Sequence, residues 1–436
     1  MRWVSFFSRH TELNGFFINF AGMIHFQKKI LGNGLTVIVN EDHSTQLCAV
    51  NVLYKVGARD ESAARTGFAH LFEHLMFGGS VNAPDFDTEL QLAGGTNNAY
   101  TSNDLTNYYD VLPVSNIETA LWLESDRMLH LDFSERSLEV QRNVVCEEFK
   151  EHYINRPYGD VWHKLRELVY EKHPYRWPTI GLELKHVQEA QLQDVKDFFY
   201  RYYRPNNAIL TISGGIRTED AFVLAEKWFG DIPAGESFDR SYSAEPEQTA
   251  PKFLAVEKDV PVNVLYKAWK MPGRIEQGYY AANMLSDILG SGEGSRLQHA
   301  LKKEKKLFTD IAAFVSGSID TGMFLISGRL AEGVSWEQAE EGIREELEKI
   351  RTTAIAETEL QRVKNTVEMD ITGSNTGVLN KAESLAAAEM LESADLVNTE
   401  MDRFLRVTTQ EILHTAQHLL TEERCNTMHY GHIQQL

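Results

Sequence analysis

Cysteine is scarce. Three residues in 436, Cys48, Cys146 and Cys425, are widely spaced and odd in number, which excludes a disulfide framework and a cysteine-built metal site. A reducing compartment fits such usage, so a cytoplasmic location is expected. Long apolar runs are also missing. Residues 1–22 carry Arg2, Arg9, His10 and Glu12 among phenylalanines, a pattern that breaks the core of a secretory signal and is too short and polar to cross a bilayer; it reads as a disordered extension. Basic charge is in deficit. With 43 Lys and Arg against 63 Asp and Glu, a formal net charge of -20 argues against nucleic acid or a membrane surface as a partner, and favours cationic ligands at long range.

What is there suits two domains of about two hundred residues each. Alternating β-branched runs at Gly34–Asn40 and Leu47–Tyr54 predict two antiparallel strands. Helices are predicted from Phe68 onward, over Asp85–Ala93, Ser115–Leu129, Ser134–Tyr153, Tyr158–Tyr170, Leu192–Tyr203 and Glu219–Phe229, with a hairpin at Thr96–Thr101 and Thr106–Leu112 and a strand at Ala208–Ser213. Between Gly230 and Lys252 the composition turns to Gly, Pro, Ser and Glu, marking a linker. Strands near Phe253–Val256 and Asn263–Trp269, helices at Gln277–Leu289 and Ser295–Lys305, two strands, four helices between Ser335 and Leu420 and a last strand near Cys425–Tyr430 then repeat the earlier order. The expectation is an α+β chain of two duplicated domains, 23–232 and 252–436, joined by a linker at 233–251, each a mostly antiparallel sheet packed against helices.

One helix carries chemistry. In Gly67-Phe-Ala-His70-Leu-Phe-Glu73-His74-Leu-Met-Phe-Gly78, His70 and His74 stand one turn apart with Glu73 beside them. Two imidazoles and a carboxylate at H-x-x-E-H spacing are the inverzincin signature: nitrogen ligands for zinc, and a base that does not bind it. The surrounding Phe68, Ala69, Leu71, Phe72, Leu75, Met76 and Phe77 predict a buried helix, in which polar groups need partners. The corresponding helix of the second half, Gln277–Leu289, has no His, so only the first half can carry the metal. For a third ligand, the helix Ser134–Tyr153 offers Glu147, Glu148 and Glu151. At about 100° per residue, Glu148 falls between Val144 and Val145 on the apolar stripe of Leu138, Val145 and Phe149, and is the choice. An internal salt bridge to an Arg is the competing reading. His152 shares the face, as a fourth ligand, a partner to a ligand, or a half-buried histidine.

These residues resemble a family. His70-x-x-Glu73-His74, with Glu148 set in Arg142-Asn-Val-Val-Cys-Glu-Glu148, Gly94-Gly-Thr-Asn-Asn98-Ala99-Tyr-Thr101 with Asp104, His173-Pro-Tyr-Arg-Trp-Pro-Thr-Ile-Gly181 and Tyr203-Arg-Pro-Asn-Asn207 resemble the pitrilysin/insulinase metallopeptidases. The likeness is closest to the short-chain subgroup that includes the mitochondrial processing peptidase beta subunit and bacterial homologues. The resemblance implies half of a clamshell, one Zn2+ per chain held by His70, His74 and Glu148, and Glu73 as general base. It also implies that Asn98 and Ala99 belong to an edge strand that pairs with a peptide substrate, though Asn97-Asn98 also suits a plain turn.

Two positions depart from the family pattern. Gln141 stands where a supporting Glu is usual and cannot carry charge. Lys302 and Thr309 stand where the second half of such a chain supplies an Arg and, seven residues on, a Tyr to stabilise the oxyanion; Lys302 also suits a solvated basic cluster, Lys302–Lys306. The expected protein is a zinc endopeptidase subunit that forms a heterodimer with a homologous chain supplying Arg and Tyr. An active homodimer, an inactive scaffold of the same fold and a zinc-stabilised binding protein are the alternatives.

Overall fold

The computed structural model describes residues 22–240 and 242–432. The extension expected over residues 1–22 lies, but for Gly22, outside them. In the first half β1 (Gln27–Ile30), β2 (Thr36–Glu41) and β3 (Leu47–Tyr54) precede α1 (Phe68–Phe77) and α2 (Phe86–Leu92). The hairpin β4 (Thr96–Thr101) and β5 (Thr106–Pro113) follows, then α3 (Ile117–His130), α4 (Glu135–Phe149), α5 (Val161–Val169), α6 (Leu184–Gln188), α7 (Leu192–Tyr202), β6 (Ala208–Gly214) and α8 (Thr218–Phe229). The second half holds β7 (Lys252–Glu257), β8 (Val264–Met271), α9 (Tyr279–Gly290), β9 (Phe308–Ser316) and β10 (Gly322–Leu330). It ends with α10 (Trp336–Thr352), α11 (Glu357–Ser374), α12 (Val378–Leu391), α13 (Leu396–Leu405), α14 (Thr409–Leu419) and β11 (Asn426–Gly431). Five helices therefore occupy the stretch expected to hold four, because the turn at 392–395 divides α12 from α13.

The first sheet runs β1-β2-β6-β3-β5-β4 and the second β7-β11-β8-β10-β9. From β2 onward the two orders match strand for strand, including one parallel pair in each, β2 with β6 and β7 with β11. All other pairs are antiparallel. This is the duplicated, mostly antiparallel α+β architecture. One expectation needs adjusting: β2 and β3 do run in opposite directions, but they are not neighbours, since β6 lies between them. A strand entering from 170 residues away is invisible to a local reading.

The faces of both sheets are covered, and each half lends the other a helix. Val37, Val39, Val50, Val52, Leu210 and Ile212 face the helices of their own half. The alternate residues Ile38, Leu53 and Ile209 pack against Leu385 and Ala386 of α12 from the second half. Conversely Val161, Leu165 and Val169 of α5 cover Ala268, Met323 and Leu325 of the second sheet. Double coverage explains why β6 is buried along its whole length. The segment 233–251 has no helix or strand among its described residues, yet it is strapped down: Arg240 and Tyr242 bond Asp60 at 2.9 and 2.8 Å, and Glu245 bonds Lys270 and the amides of Glu171, Lys172 and His173. Among the described residues no helix is long and apolar enough to cross a membrane.

Candidate metal centre

Helix α1 begins at Gly67, whose φ of +88° is a left-handed conformation that a side chain would strain. An added Cβ there would also stand 2.6 Å from the Ile180 carbonyl oxygen. Glu61 caps the helix start, accepting from the amides of Gly67 and Ala69 at 2.9 and 2.8 Å. Burial pushes its carboxyl up to about 8 against the pull of those two bonds. The apolar residues Phe68, Ala69, Leu71, Phe72, Leu75 and Met76 are buried, which leaves His70, Glu73 and His74 half-buried on the remaining side.

Helix α4 crosses that side. It is anchored by Leu138, Val145, Cys146 and Phe149, and it brings one oxygen of Glu148 to 3.7 Å from His70 Nε2 and 3.4 Å from His74 Nε2. Glu147 and Glu151 are exposed. One ligand atom from each of His70, His74 and Glu148 lies within 4.8 Å of the others, the one such cluster of three among the described residues. Tetrahedral zinc with bonds of about 2.0–2.1 Å separates its ligand atoms by roughly 3.3 Å, so two imidazoles and a carboxylate at these spacings fit the ion. Burial lowers His70 to about 4, leaving a neutral ring with a lone pair to offer. The hydrogen bond with His74 lowers Glu148 against the effect of burial, keeping it ionised. Side-chain exposures of 14% for His70, 24% for His74 and 32% for Glu148 leave the cluster open to solvent on one side.

Glu73 stands outside the cluster. Its Oε2 accepts from Thr101 Oγ1 at 2.6 Å, and burial raises its carboxyl above the usual range. Thr101 ends β4, an edge strand that among the described residues pairs only with β5. Ala99 is half-buried and Asn98 exposed on that edge, where Asn98 Oδ1 accepts from the Ala99 amide at 2.8 Å. Asn97 and Asn98 are thus in a strand rather than a turn. Gln141 is half-buried on α4, two turns before Glu148. His152 is exposed on a π-helical turn, Lys150–Ile154, that continues α4, not half-buried as expected. Lys302 lies 4.0 Å from Asp310, and exposed Thr309 donates to the Arg329 carbonyl.

Sequence reasoning missed Thr101 and Glu61 as parts of the site, since neither has a local signature. It also gave no reason for the segment 173–181, which joins the halves. Tyr175 OH donates to Asp104 at 2.5 Å, Asp104 also accepts from the Ile319 amide at 3.1 Å, and Arg59 reaches both Asp104 and Asp320 at 3.0 and 3.4 Å. Trp177 donates to the Ala58 carbonyl at 2.9 Å.

Residues 36–181 match a family model described as insulinase (peptidase family M16), and residues 189–367 one described as the inactive domain of peptidase M16. The chain is similar to the zinc protease PqqE of Helicobacter pylori, 29% identical over 405 residues that cover 91% of each chain. It is 24% identical to the mitochondrial-processing peptidase subunit beta of Saccharomyces cerevisiae over 85% of each. Among solved structures, a protease from Helicobacter pylori superposes with a TM-score of 0.88 at 27% identity, covering 94% of this chain and 100% of that one. The periplasmic protease PqqL from Escherichia coli shares the fold at a TM-score of 0.77 and 18% identity, but this chain covers only 47% of it.

Proposed function

Because the chain belongs to the M16 peptidase family, we propose that it is the zinc-bearing subunit of an endopeptidase that hydrolyses peptides or unfolded segments in an enclosed chamber. The observation that carries this reading is the convergence of His70, His74 and Glu148 beside a carboxylate that is tied to a free strand edge. His70, His74 and Glu148 would hold one Zn2+, and bound zinc supplies a Lewis acid that polarises a peptide carbonyl and acidifies water. Glu73 takes the proton of the attacking water and passes it to the leaving amine. The Thr101 hydroxyl aims one oxygen of Glu73 for that task. Asn98 and Ala99 present the edge of β4 to an extended peptide, whose main chain bonds to the strand with little demand on its sequence. Gln141, two turns before Glu148, can offer hydrogen bonding there but no charge.

The oxyanion side is the weaker half. Lys302 and Thr309 cannot reproduce the fork of an Arg or the reach of a Tyr, so a homologous subunit is the proposed source of both. Two findings favour pairing: a relative is itself named a subunit, and the fold-sharing PqqL chain is about twice the length. The family model described as inactive begins at residue 189, beyond His70, Glu73, His74 and Glu148, and does not bear on them. The three buried, unpaired cysteines support residence in the cytoplasm, which cell fractionation checks.

The test combines metal content with turnover. The purified chain, alone and with its co-purified partner, should contain one zinc and cut an unstructured peptide. Glu73→Gln should keep the zinc and lower the rate by about 10²–10⁴. Zinc without cleavage of any peptide in a diverse library, with or without the partner, would sink the peptidase reading. A fully active homodimer would sink the heterodimer.

A further inference from the structure

A cavity of about 590 Å³ opens between the two halves. One wall is the stretch after α4, with Arg156, Tyr158 and Trp162; the floor is a face of the second sheet, with Tyr266, Phe314 and Arg329. Two features bear on what the cavity could hold. Trp162 and Phe314 each leave 37% of their surface uncovered. Neither guanidinium has a carboxylate within 4.0 Å among the described residues. Asp310, the strand neighbour of Arg329 in register, is 4.0 Å from Lys302 instead.

The cavity lies beside the metal cluster. His152 and Tyr153 line it one turn beyond Glu148, roughly 6 Å along the helix. An extended peptide advances about 3.3 Å per residue, so a chain held at the cluster reaches the cavity about two residues from the bond under attack.

We propose that this cavity is a pocket for an acidic substrate side chain, a Glu or Asp about two positions from the cleaved bond, held by Arg156 and Arg329. The inference rests on the peptidase reading. A guanidinium meets a carboxylate through paired N–H donors, and aromatic walls limit the water that would otherwise screen the pair. The negative charge of the whole chain draws cationic peptides from a distance, while the pocket selects locally for the opposite sign.

Two measurements separate this inference from the reading beneath it. In the first, matched peptides carrying Glu, Gln or Lys at each position within three residues of the cleavage site are given to the zinc-loaded chain with its partner. The Glu peptide should be favoured over Gln by roughly tenfold in kcat/KM at one position. That ratio should fall to near one in Arg156→Gln/Arg329→Gln, and Arg329→Glu should turn the preference toward Lys. Equal rates for Glu and Gln, or a parent preference for Lys, overturn the pocket and leave the peptidase standing. In the second, fluorescence anisotropy follows labelled Glu and Gln peptides binding to Glu73→Gln, where no turnover is needed. Tighter binding of the Glu peptide supports the pocket even if no peptide is ever cut, and equal binding rejects it.

Discussion

At the scale of single residues, the site depends on carboxylates that do different work in different surroundings. Glu148 belongs to the cluster and Glu73 stands beside it, whereas Glu61 is buried and holds two amides at the start of α1. Glu61→Ala leaves both amides unpaired in the core, so it should cost about 2–4 kcal/mol and weaken zinc affinity, read by thermal unfolding and a zinc titration. Asp287, on the α9 helix that matches α1 in position, carries no catalytic group. Burial and Asp370 raise its carboxyl to about 6. A carboxyl with a folded value above its unfolded one keeps a proton that the unfolded chain has lost, so stability falls as pH rises from about 4 to about 6. Asp287→Asn removes that penalty. It should be more stable than the parent at pH 8, by on the order of 1–2 kcal/mol, and no more stable at pH 4, as Tm measured at the two pH values would show.

At the scale of elements, alternation along the strands decides what the helices can cover. Ile38, Leu53 and Ile209 turn away from the helices of their own half and meet α12 of the other. Leu385 sits there with no exposed surface. Leu385→Ala should cost about 2–5 kcal/mol in denaturant unfolding. Because α12 covers the first sheet, hydrogen exchange should quicken at the amides of β3 and β6 as well as in α12; a change limited to α12 would argue against the exchange of helices as a source of stability. The free edges β4 and β9 hold matching places in the two sheets, but only β4 runs beside a helix that carries His70, Glu73 and His74.

At the scale of the molecule, the halves are joined by polar groups as well as by borrowed helices. Glu245, in the strap between them, bonds Lys270 of the second half and three amides of the first. Burial works to raise its carboxyl, but Lys270 and the amides outweigh it and bring it down to about 2. A depressed folded value gives stability that is complete above the unfolded value of about 4.5 and is lost as pH falls from there toward about 2. Glu245→Ala should therefore lower stability at pH 7 by about 3–5 kcal/mol and make much less difference near pH 2, with Tm across pH as the measure.

Local periodicity made much of this protein legible in its sequence. H-x-x-E-H is a pattern of one helix, so His70, Glu73 and His74 can be placed together without knowing the fold. Glu148 was within reach for a similar reason: a carboxylate in an apolar stripe needs a positive partner. The order of strands and helices, and its repetition after 252, follows from the same periods of two and 3.6. Tertiary structure alone decided the rest, since those features join residues far apart in the chain and are selected by packing rather than by neighbours. The insertion of β6 between β2 and β3, the hold of Thr101 on Glu73, the cap from Glu61, the Asp104 and Tyr175 junction and the cavity between Arg156 and Arg329 all depend on how two sheets and their borrowed helices close on one another.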